Sequence, residues 1–137
     1  MSQKCILFAR IGTSPMCDDL FIDGQLKILR FHAEQRGWSV ECAVTEQGIG
    51  ALDPWRVGTI ELVQMVKEHQ VDYVLVMNYN RLSRTVDGLI KIAQELEKYG
   101  TKIVSVNEGE LNTSELLAFY QRIETFDLFK AGDDVGQ

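Results

Sequence analysis

Four short apolar segments alternate with amphipathic ones, and this alternation constrains the fold more than any other feature of the sequence. The strand-like segments are KCILFARI, WSVECAVTE, VDYVLVMN and TKIVSVNE. Each contains many aliphatic or aromatic residues and is bounded by glycine, asparagine or charge, as strands usually are. The run from Val74 to Met77 is apolar throughout, which is typical of a parallel strand that is covered on both faces.

Helical periodicity lies between these segments. An apolar stripe with a spacing of three and four residues ends before Gly37, which stands where a helix C-cap is expected. Another stripe is closed by Gly100, and a last helix is predicted from near Asn112, with Glu115 in capping-box register. Ser83 or Thr85 is expected to cap the helix before Gly100. The three stripes consist of Ile22, Leu26, Leu29 and Ala33, then Ile60, Val63 and Val66, and then Val86, Leu89, Ile90, Ala93 and Leu96.

Strands that alternate with helices predict right-handed crossovers and a mostly parallel sheet. We therefore expect a single α/β domain with an open, mostly parallel sheet of about four or five strands and helices on both faces. The chain of 137 residues is long enough for one buried core and too short for two ordinary domains. The predicted domain spans residues 1–126, followed by a polar C-terminal tail over 127–137, in which the stretch KAGDDVGQ is expected to fray.

The net charge of −6 limits the possible partners. Binding to a phosphate backbone depends on lysine and arginine, so an acidic domain is expected to bind DNA only weakly by itself. No apolar stretch is long enough to cross a bilayer, and no membrane association is expected. Cys5, Cys17 and Cys42 are odd in number and widely spaced, which indicates reduced thiols in a cytoplasmic protein rather than disulfides or a metal site.

Arginines follow two of the predicted strands. Arg10 ends the first strand, and Arg81 and Arg84 follow the third within the segment NRLSRT. Ligand sites of parallel α/β sheets lie beyond the carboxyl ends of the strands, so we expect these two loops to meet. Three guanidinium groups there would bind a tetrahedral anion, above all a phosphodiester, and would stabilise phosphoryl transfer without a metal. Surface pairing with acidic side chains is the favoured alternative for any single arginine, but not for three at adjacent strand ends.

These segments resemble a known family. FARIGT after the first strand, Gln25 within the first helix and NRLSRT after the third strand are similar to the catalytic domain of serine recombinases, the resolvase and invertase group. That family typically shows Tyr-x-Arg-(Val/Ile)-Ser-Thr and Asp-Arg-Leu-(Ser/Gly)-Arg at these two places. The resemblance runs from about Ile6 to about Glu108, and the two motifs together are much more specific than either alone.

The resemblance implies a fold, a chemistry and a set of roles. It implies a resolvase-like catalytic domain in which a serine hydroxyl attacks a DNA phosphodiester and forms a 5′-phosphoserine bond, with no metal and no other cofactor. Arg10, Arg81 and Arg84 match the arginines that hold the phosphate. Gln25 matches a polar position of the family pattern, and it and Arg56 are expected to contribute to the phosphate site. Arg56 matches a further arginine, which the family usually follows with proline and this chain follows with valine.

The chain departs from the family where the nucleophile is expected. Gly12 stands at the position of the catalytic serine, and glycine has no side chain for covalent attack. Thr13 should point elsewhere, Ser14 reaches back only if the loop is re-shaped, and a loop cysteine such as Cys17 is usually not a nucleophile. None is expected to substitute, because a misplacement of about 1 Å can cost on the order of 100-fold in rate. Asn80 replaces the family's aspartate and cannot accept a proton.

Three functions remain open at this point. The first is a serine-recombinase-type domain of DNA recombination that has lost strand cleavage and serves as a binding or regulatory module. The second is an active recombinase catalytic domain that is engineered at Gly12 or separated from its DNA-binding part. The third is a small α/β module that binds a phosphorylated metabolite. The first is favoured, because Gly12 and Asn80 depart from the family pattern together.

The last helix is expected to mediate association. Its apolar residues exceed what a single surface helix needs, which predicts a homodimer or higher oligomer. The alternative is that this face packs on the chain's own sheet. No helix-turn-helix or zinc motif is recognised, so no separate DNA-binding domain is expected. The apolar residues in question are Leu116, Leu117, Tyr120, Ile123, Leu128 and Phe129.

Overall fold

The fold is an alternation of strands and helices, as the sequence predicts. The computed structural model describes residues 3–12, 21–48 and 53–123. The strands are β1 (Lys4–Ile11), β2 (Ser39–Gln47), β3 (Tyr73–Val76), β4 (Lys102–Ser105) and β5 (Gly109–Glu110). The helices are α1 (Ile22–Gln35), α2 (Val57–His69), α3 (Val86–Glu97) and α4, which is helical over residues 113–123, with a short 3₁₀ turn at Tyr79–Arg81.

The five strands form one sheet in the order β2-β1-β3-β4-β5. The first four are parallel to their neighbours, and β5 is antiparallel to β4. The predicted α/β domain with a mostly parallel sheet is therefore confirmed. The fifth strand has only two residues and begins at Gly109, whose positive φ of 92° turns the chain back beside β4. It is too short to show a periodic pattern in the sequence.

Strand β1 is buried on both faces, because its alternate side chains enter two different cores. Ile6 and Phe8 face the core beneath α2 and α3, whereas Cys5, Leu7 and Ala9 face the core beneath α1. Helices therefore cover both faces of the sheet, as predicted. The helical residues of the first core are Leu62, Val66, Leu89, Ile92, Ala93 and Leu96, and those of the second are Leu29 and Ala33.

The helix ends follow the capping signals in the sequence. Gly37 adopts a positive φ of 72° just beyond α1, a conformation that favours glycine. The hydroxyl of Thr85 accepts a hydrogen bond from the Gly88 amide at 3.0 Å and caps α3. The side chain of Asn112 accepts one from the Glu115 amide at 3.0 Å. The Thr85 cap fixes where α3 begins, and so limits the length of the turn that follows β3.

Several sequence predictions fall outside the described residues. These are the three alternative nucleophiles Thr13, Ser14 and Cys17, the apolar pair Leu128 and Phe129, and the tail 127–137. Within the described ranges, none of the helices is both long enough and apolar enough to cross a membrane. The predicted domain limit at residue 126 stays a prediction.

Candidate active site

The carboxyl ends of β1 and β3 lie side by side. The two strands pair in parallel with Leu7 opposite Leu75. Arg10 lies near the end of β1, and the turn Tyr79–Arg81 follows β3 at the same edge of the sheet. The two loops that the sequence predicts to meet therefore do so.

Arg10 and Arg81 are joined by reciprocal hydrogen bonds. Nε of Arg10 donates to the carbonyl oxygen of Arg81 at 3.1 Å, and Nη1 of Arg81 donates to the carbonyl oxygen of Arg10 at 3.2 Å. Arg10 is only 2% exposed, and Arg81 is half-buried. Each side chain is thus oriented by the backbone of the other, which fixes the relative placement of the two strand ends.

Gln25, on the first turn of α1, is buried against the same residue. Its Nε2 donates to the carbonyl oxygen of Arg10 at 2.9 Å, and its Oε1 accepts from the amide of Arg10 at 3.3 Å. Both ends of the Gln25 amide therefore engage the Arg10 backbone. The observed bonds show that this side chain holds the Arg10 backbone in place, and the phosphate contact expected at Gln25 stays a prediction.

Arg56 joins the cluster from the start of α2 and is 6% exposed. Its Nε donates to Oε1 of Glu46 at 2.9 Å, and its Nη1 donates to the carbonyl oxygen of Asp53 at 2.8 Å. Its Nη2 donates to the carbonyl oxygen of Arg81 at 3.4 Å. Arg56 is therefore in direct contact with the turn that carries Arg81, although valine rather than proline follows it.

Glu46 is the site residue that the sequence analysis missed. It lies near the end of β2, opposite Arg10 in the strand register, and is 4% exposed. Its Oε1 pairs with Arg56, and its Oε2 accepts from the amide of Gly58 at 3.1 Å. A signal was present in the sequence: residue 46 is two positions after the buried Val44, so both side chains lie on the same, covered face of the strand.

The electrostatic environment of the cluster is dominated by positive charge. Burial lowers the pKa of the Arg10 guanidinium below its usual value, and the charges of Arg56 and Arg81 lower it further. Glu46 opposes this shift, and the exposed Arg84 adds to it. Three other guanidinium groups thus lie near enough to that of Arg10 to repel it, and an anion bound here would relieve this repulsion.

Gly12 follows β1 directly and is half-buried beside this cluster. Its φ lies outside the positive range that favours glycine, so its backbone conformation does not require glycine. A Cβ atom built at this position meets no heavy atom within 4 Å. A serine side chain is therefore sterically acceptable at position 12. Asn80 lies exposed in the turn after β3.

The described ranges contain no group of three or more histidine, cysteine, aspartate or glutamate residues that is placed to hold a metal ion. The two described cysteines, Cys5 and Cys42, are free thiols.

Known proteins share this sequence pattern and fold. Residues 5–130 match the family described as Resolvase, N terminal domain. The N-terminal catalytic domain of TP901-1 integrase is 23% identical, with a TM-score of 0.74 over 95% of this chain and 98% of that one. A resolvase family site-specific recombinase from Streptococcus pneumoniae is 16% identical, with a TM-score of 0.75 over 96% and 95%.

A third solved structure is slightly more similar to this chain in sequence than these two. The C-terminal catalytic domain of ISC1926 TnpA, an IS607-like serine recombinase, is 26% identical, with a TM-score of 0.65 over 93% of this chain and 84% of that one. The match to the family extends over nearly the whole chain and includes both strand-end motifs. This chain therefore belongs to the resolvase family and forms a serine recombinase catalytic domain of the kind that acts in DNA recombination.

Proposed function

We propose that this domain binds a DNA phosphodiester through its arginine cluster, defined as Arg10, Arg56, Arg81 and Arg84, without cleaving the DNA strand through a phosphoserine intermediate. The domain has positively charged side chains at the ends of its strands and, at position 12, no side chain that could attack the phosphorus. The domain would then serve recombination as a binding or regulatory module.

The reciprocal hydrogen bonds between Arg10 and Arg81 are the observation that carries this proposal. They bring two guanidinium groups from separate strand ends to one place and orient both through backbone carbonyl oxygens. A preorganised pair of this kind suits a phosphate group, because guanidinium groups donate two parallel hydrogen bonds to its oxygens. Arg84, exposed three residues after Arg81, adds charge that attracts the DNA backbone.

Strand cleavage begins with attack by a serine oxygen on phosphorus, and this domain lacks that serine at position 12. In a serine recombinase the seryl oxygen forms a bond to phosphorus while the bond from phosphorus to the 3′ oxygen breaks, and the leaving oxygen takes up a proton. Gly12 offers no oxygen for the first event, and the Asn80 amide neither accepts nor delivers a proton in the way that a carboxyl group does. The arginines would still stabilise a bound phosphodiester.

The role of the last helix also belongs to this proposal. Phe119 and Ile123 are 49% and 40% exposed on α4, whereas Leu116, Leu117 and Tyr120 are half-buried. Leu116 packs against the core beneath α2 and α3, so part of this face packs on the chain itself. We propose that the exposed part contributes to a homodimer or higher oligomer. A cytoplasmic location stays a prediction.

The binding step is tested by fluorescence anisotropy with a short labelled DNA duplex at low salt. The Arg81→Ala variant is compared with Arg30→Ala, which removes an equal charge from the exposed surface of α1. We expect Arg81→Ala to weaken binding on the order of tenfold, since hydrogen bonds to charged groups contribute about 1.5–3 kcal/mol. Arg30→Ala should leave the affinity nearly unchanged. Equal losses in both variants would mean that the domain attracts DNA only through its overall charge.

A small phosphate ligand remains the alternative outcome. Thermal unfolding in the presence of inorganic phosphate or of the DNA duplex shows which of the two, a small phosphate ligand or DNA, binds the site. Stabilisation by the duplex at micromolar concentration supports the proposal, whereas stabilisation by phosphate with none by DNA would assign the site to a small phosphorylated molecule.

A further inference from the structure

The turn that carries Arg81 has a neighbour on each side, because β3 lies between β1 and β4 in the sheet. On the β1 side, Nε of Arg10 donates to the carbonyl oxygen of Arg81 at 3.1 Å. On the β4 side lies the connection between β4 and β5, which covers residues 106–108. The placement of Arg81 therefore depends on chain segments at two different strand ends.

Glu108, in the connection between β4 and β5, binds the first residue of the turn. Its Oε1 accepts a hydrogen bond from the backbone amide of Tyr79 at 2.7 Å. The hydroxyl of the buried Ser105 donates to the same oxygen at 2.9 Å and accepts from the Glu108 amide at 3.1 Å. The Glu108 side chain is exposed, so hydrogen bonds to its charge, rather than burial, hold it in this position.

The side chain of Tyr79 makes a second bond to the same connection. Its hydroxyl donates to the carbonyl oxygen of Gly109 at 2.6 Å, and its half-buried ring packs against the core beneath α2 and α3. Burial raises the pKa of Tyr79, and the charges of Glu108 and Glu110 raise it further. The hydroxyl therefore keeps its proton and stays a hydrogen-bond donor at neutral pH.

We propose that Tyr79 and Glu108 form a clamp that positions Arg81 for contact with a phosphodiester from the β4 side of the turn. The inference rests on the proposed function and assigns to it two residues that act through Arg81 and touch no substrate. The clamp reaches Arg81 through the backbone, because the Arg81 amide donates to the carbonyl oxygen of Asn78 at 3.1 Å within the same turn.

Neighbouring bonds extend the contact between the two segments. Nδ2 of Asn107 donates to Oδ1 of Asn78 at 2.9 Å, and the Asn107 amide donates to the carbonyl oxygen of Met77 at 3.2 Å. Residues 77–79 are thus hydrogen-bonded to residues 107–109 along their whole length. A 3₁₀ turn has poorer internal hydrogen bonds than an α-helix, so its shape depends more on partners outside the turn.

The sign of the change in DNA affinity separates positioning from simple electrostatics. Loss of a carboxylate makes the surroundings of the arginine cluster more positive, which by itself strengthens the attraction of DNA. Positioning predicts weaker binding for Glu108→Ala, because the Tyr79 amide loses its acceptor. Glu108→Gln removes the same charge but keeps an oxygen that can accept this bond, so it should bind DNA as the unaltered chain does or slightly more tightly.

The experiment measures the affinity of the whole chain for the labelled DNA duplex by fluorescence anisotropy. We expect Glu108→Ala to bind on the order of fivefold more weakly, within the range of couplings in one hydrogen-bond network. The matched control is Glu110→Ala, which removes an equal charge in β5, where Glu110 pairs with Lys102 at 3.8 Å, and which should not weaken binding. Unchanged or tighter binding by folded Glu108→Ala, or an equal loss in Glu108→Gln, overturns the proposal.

A double-mutant cycle tests whether the clamp acts through Arg81. Glu108→Ala should weaken DNA binding in the unaltered chain and have no further effect in an Arg81→Ala background, because the group that it positions is gone. A general structural role would weaken binding equally in both backgrounds, and that result would overturn the inference.

A second variant keeps the inference testable if Glu108→Ala does not fold. Tyr79→Phe removes only the hydroxyl and leaves the ring in the core. It should bind DNA about threefold more weakly, again only when Arg81 is present, and unchanged affinity of this folded variant would overturn the clamp. Failure of the proposed function itself looks different, because Arg81→Ala would then lose no more affinity than Arg30→Ala.

Discussion

The side chain of Gln25 makes hydrogen bonds to both polar groups of the Arg10 backbone, at 2.9 Å to the carbonyl oxygen and 3.3 Å to the amide. The Gln25 side chain thus satisfies the backbone hydrogen bonds at the end of β1, as a paired strand does elsewhere in the sheet. Arg10 can therefore be buried at a strand end without leaving its amide unpaired. Helix α1 thus holds an arginine that is distant from it in the sequence.

Replacement of Gln25 by alanine tests this relationship. We expect the free energy of unfolding to fall by about 2–3 kcal/mol, because the buried amide of Arg10 loses its partner and a cavity forms. Urea unfolding measures the change. Gln35→Ala, at the exposed end of the same helix, should change it by less than about 0.5 kcal/mol. Equal effects in the two variants would show that Gln25 is not a structural support of Arg10.

Gly58→Ala is expected to destabilise the protein, although alanine usually favours a helix over glycine by about 1 kcal/mol. The added methyl group would lie 2.5 Å from the Glu46 carboxylate, and such overpacking costs about 1–3 kcal/mol. Thermal unfolding checks the sign. In a Glu46→Ala background the same substitution should cost less, because the nearest atoms are gone. A stabilising effect of Gly58→Ala alone would contradict the observed packing.

The pH dependence of stability should reflect the buried thiol of Cys5. Burial, with a smaller effect from the charge of Glu41, raises the pKa of Cys5 from 9.0 to about 11. The unfolded chain ionises this thiol first, so the stability that it contributes is complete below pH 9 and is lost as the pH rises towards 11. Unfolding in urea at several pH values across this window should show the loss. Cys5→Ala should show a shallower decline, and an identical decline would contradict the assignment.

Association through α4 is expected to depend on Phe119. This side chain is 49% exposed, and a serine there would remove apolar surface from the proposed interface without creating a cavity in the core. Sedimentation velocity should show a weaker oligomer for Phe119→Ser than for Phe31→Ser, whose phenyl ring is 57% exposed on α1. A chain that stays monomeric at all concentrations would contradict association through α4.

Much of the fold and part of the site could be predicted from local patterns. The apolar runs and the caps at Gly37, Thr85 and Asn112 located the elements, because each depends on residues within one turn or strand. The meeting of Arg10 with Arg81 followed from a general property of parallel sheets, whose strand ends share an edge. These predictions needed no knowledge of individual side-chain contacts.

The missing parts depend on contacts that are distant in sequence. Glu46 looked like the charged boundary of a strand, and only its ion pair with Arg56 reveals that it is buried. Nothing in a one-dimensional pattern shows that Arg56, ten residues later, returns to that strand end. The support of Arg10 by Gln25 was hidden for the same reason, since it joins a helix to a strand across fifteen residues.

The strand ends of this domain are expected to form a phosphodiester site that lacks an attacking oxygen, and a covalent-adduct assay tests this most directly. The chain and its Gly12→Ser variant are incubated with a nicked, labelled DNA duplex, denatured, and separated by gel electrophoresis. Space beside residue 12 and its ordinary backbone conformation should let the serine variant fold with unchanged stability. We predict no protein–DNA adduct with the chain as it stands and a detectable one with Gly12→Ser. A labelled adduct formed by the unaltered chain would show that another side chain attacks the phosphorus, and would contradict the account.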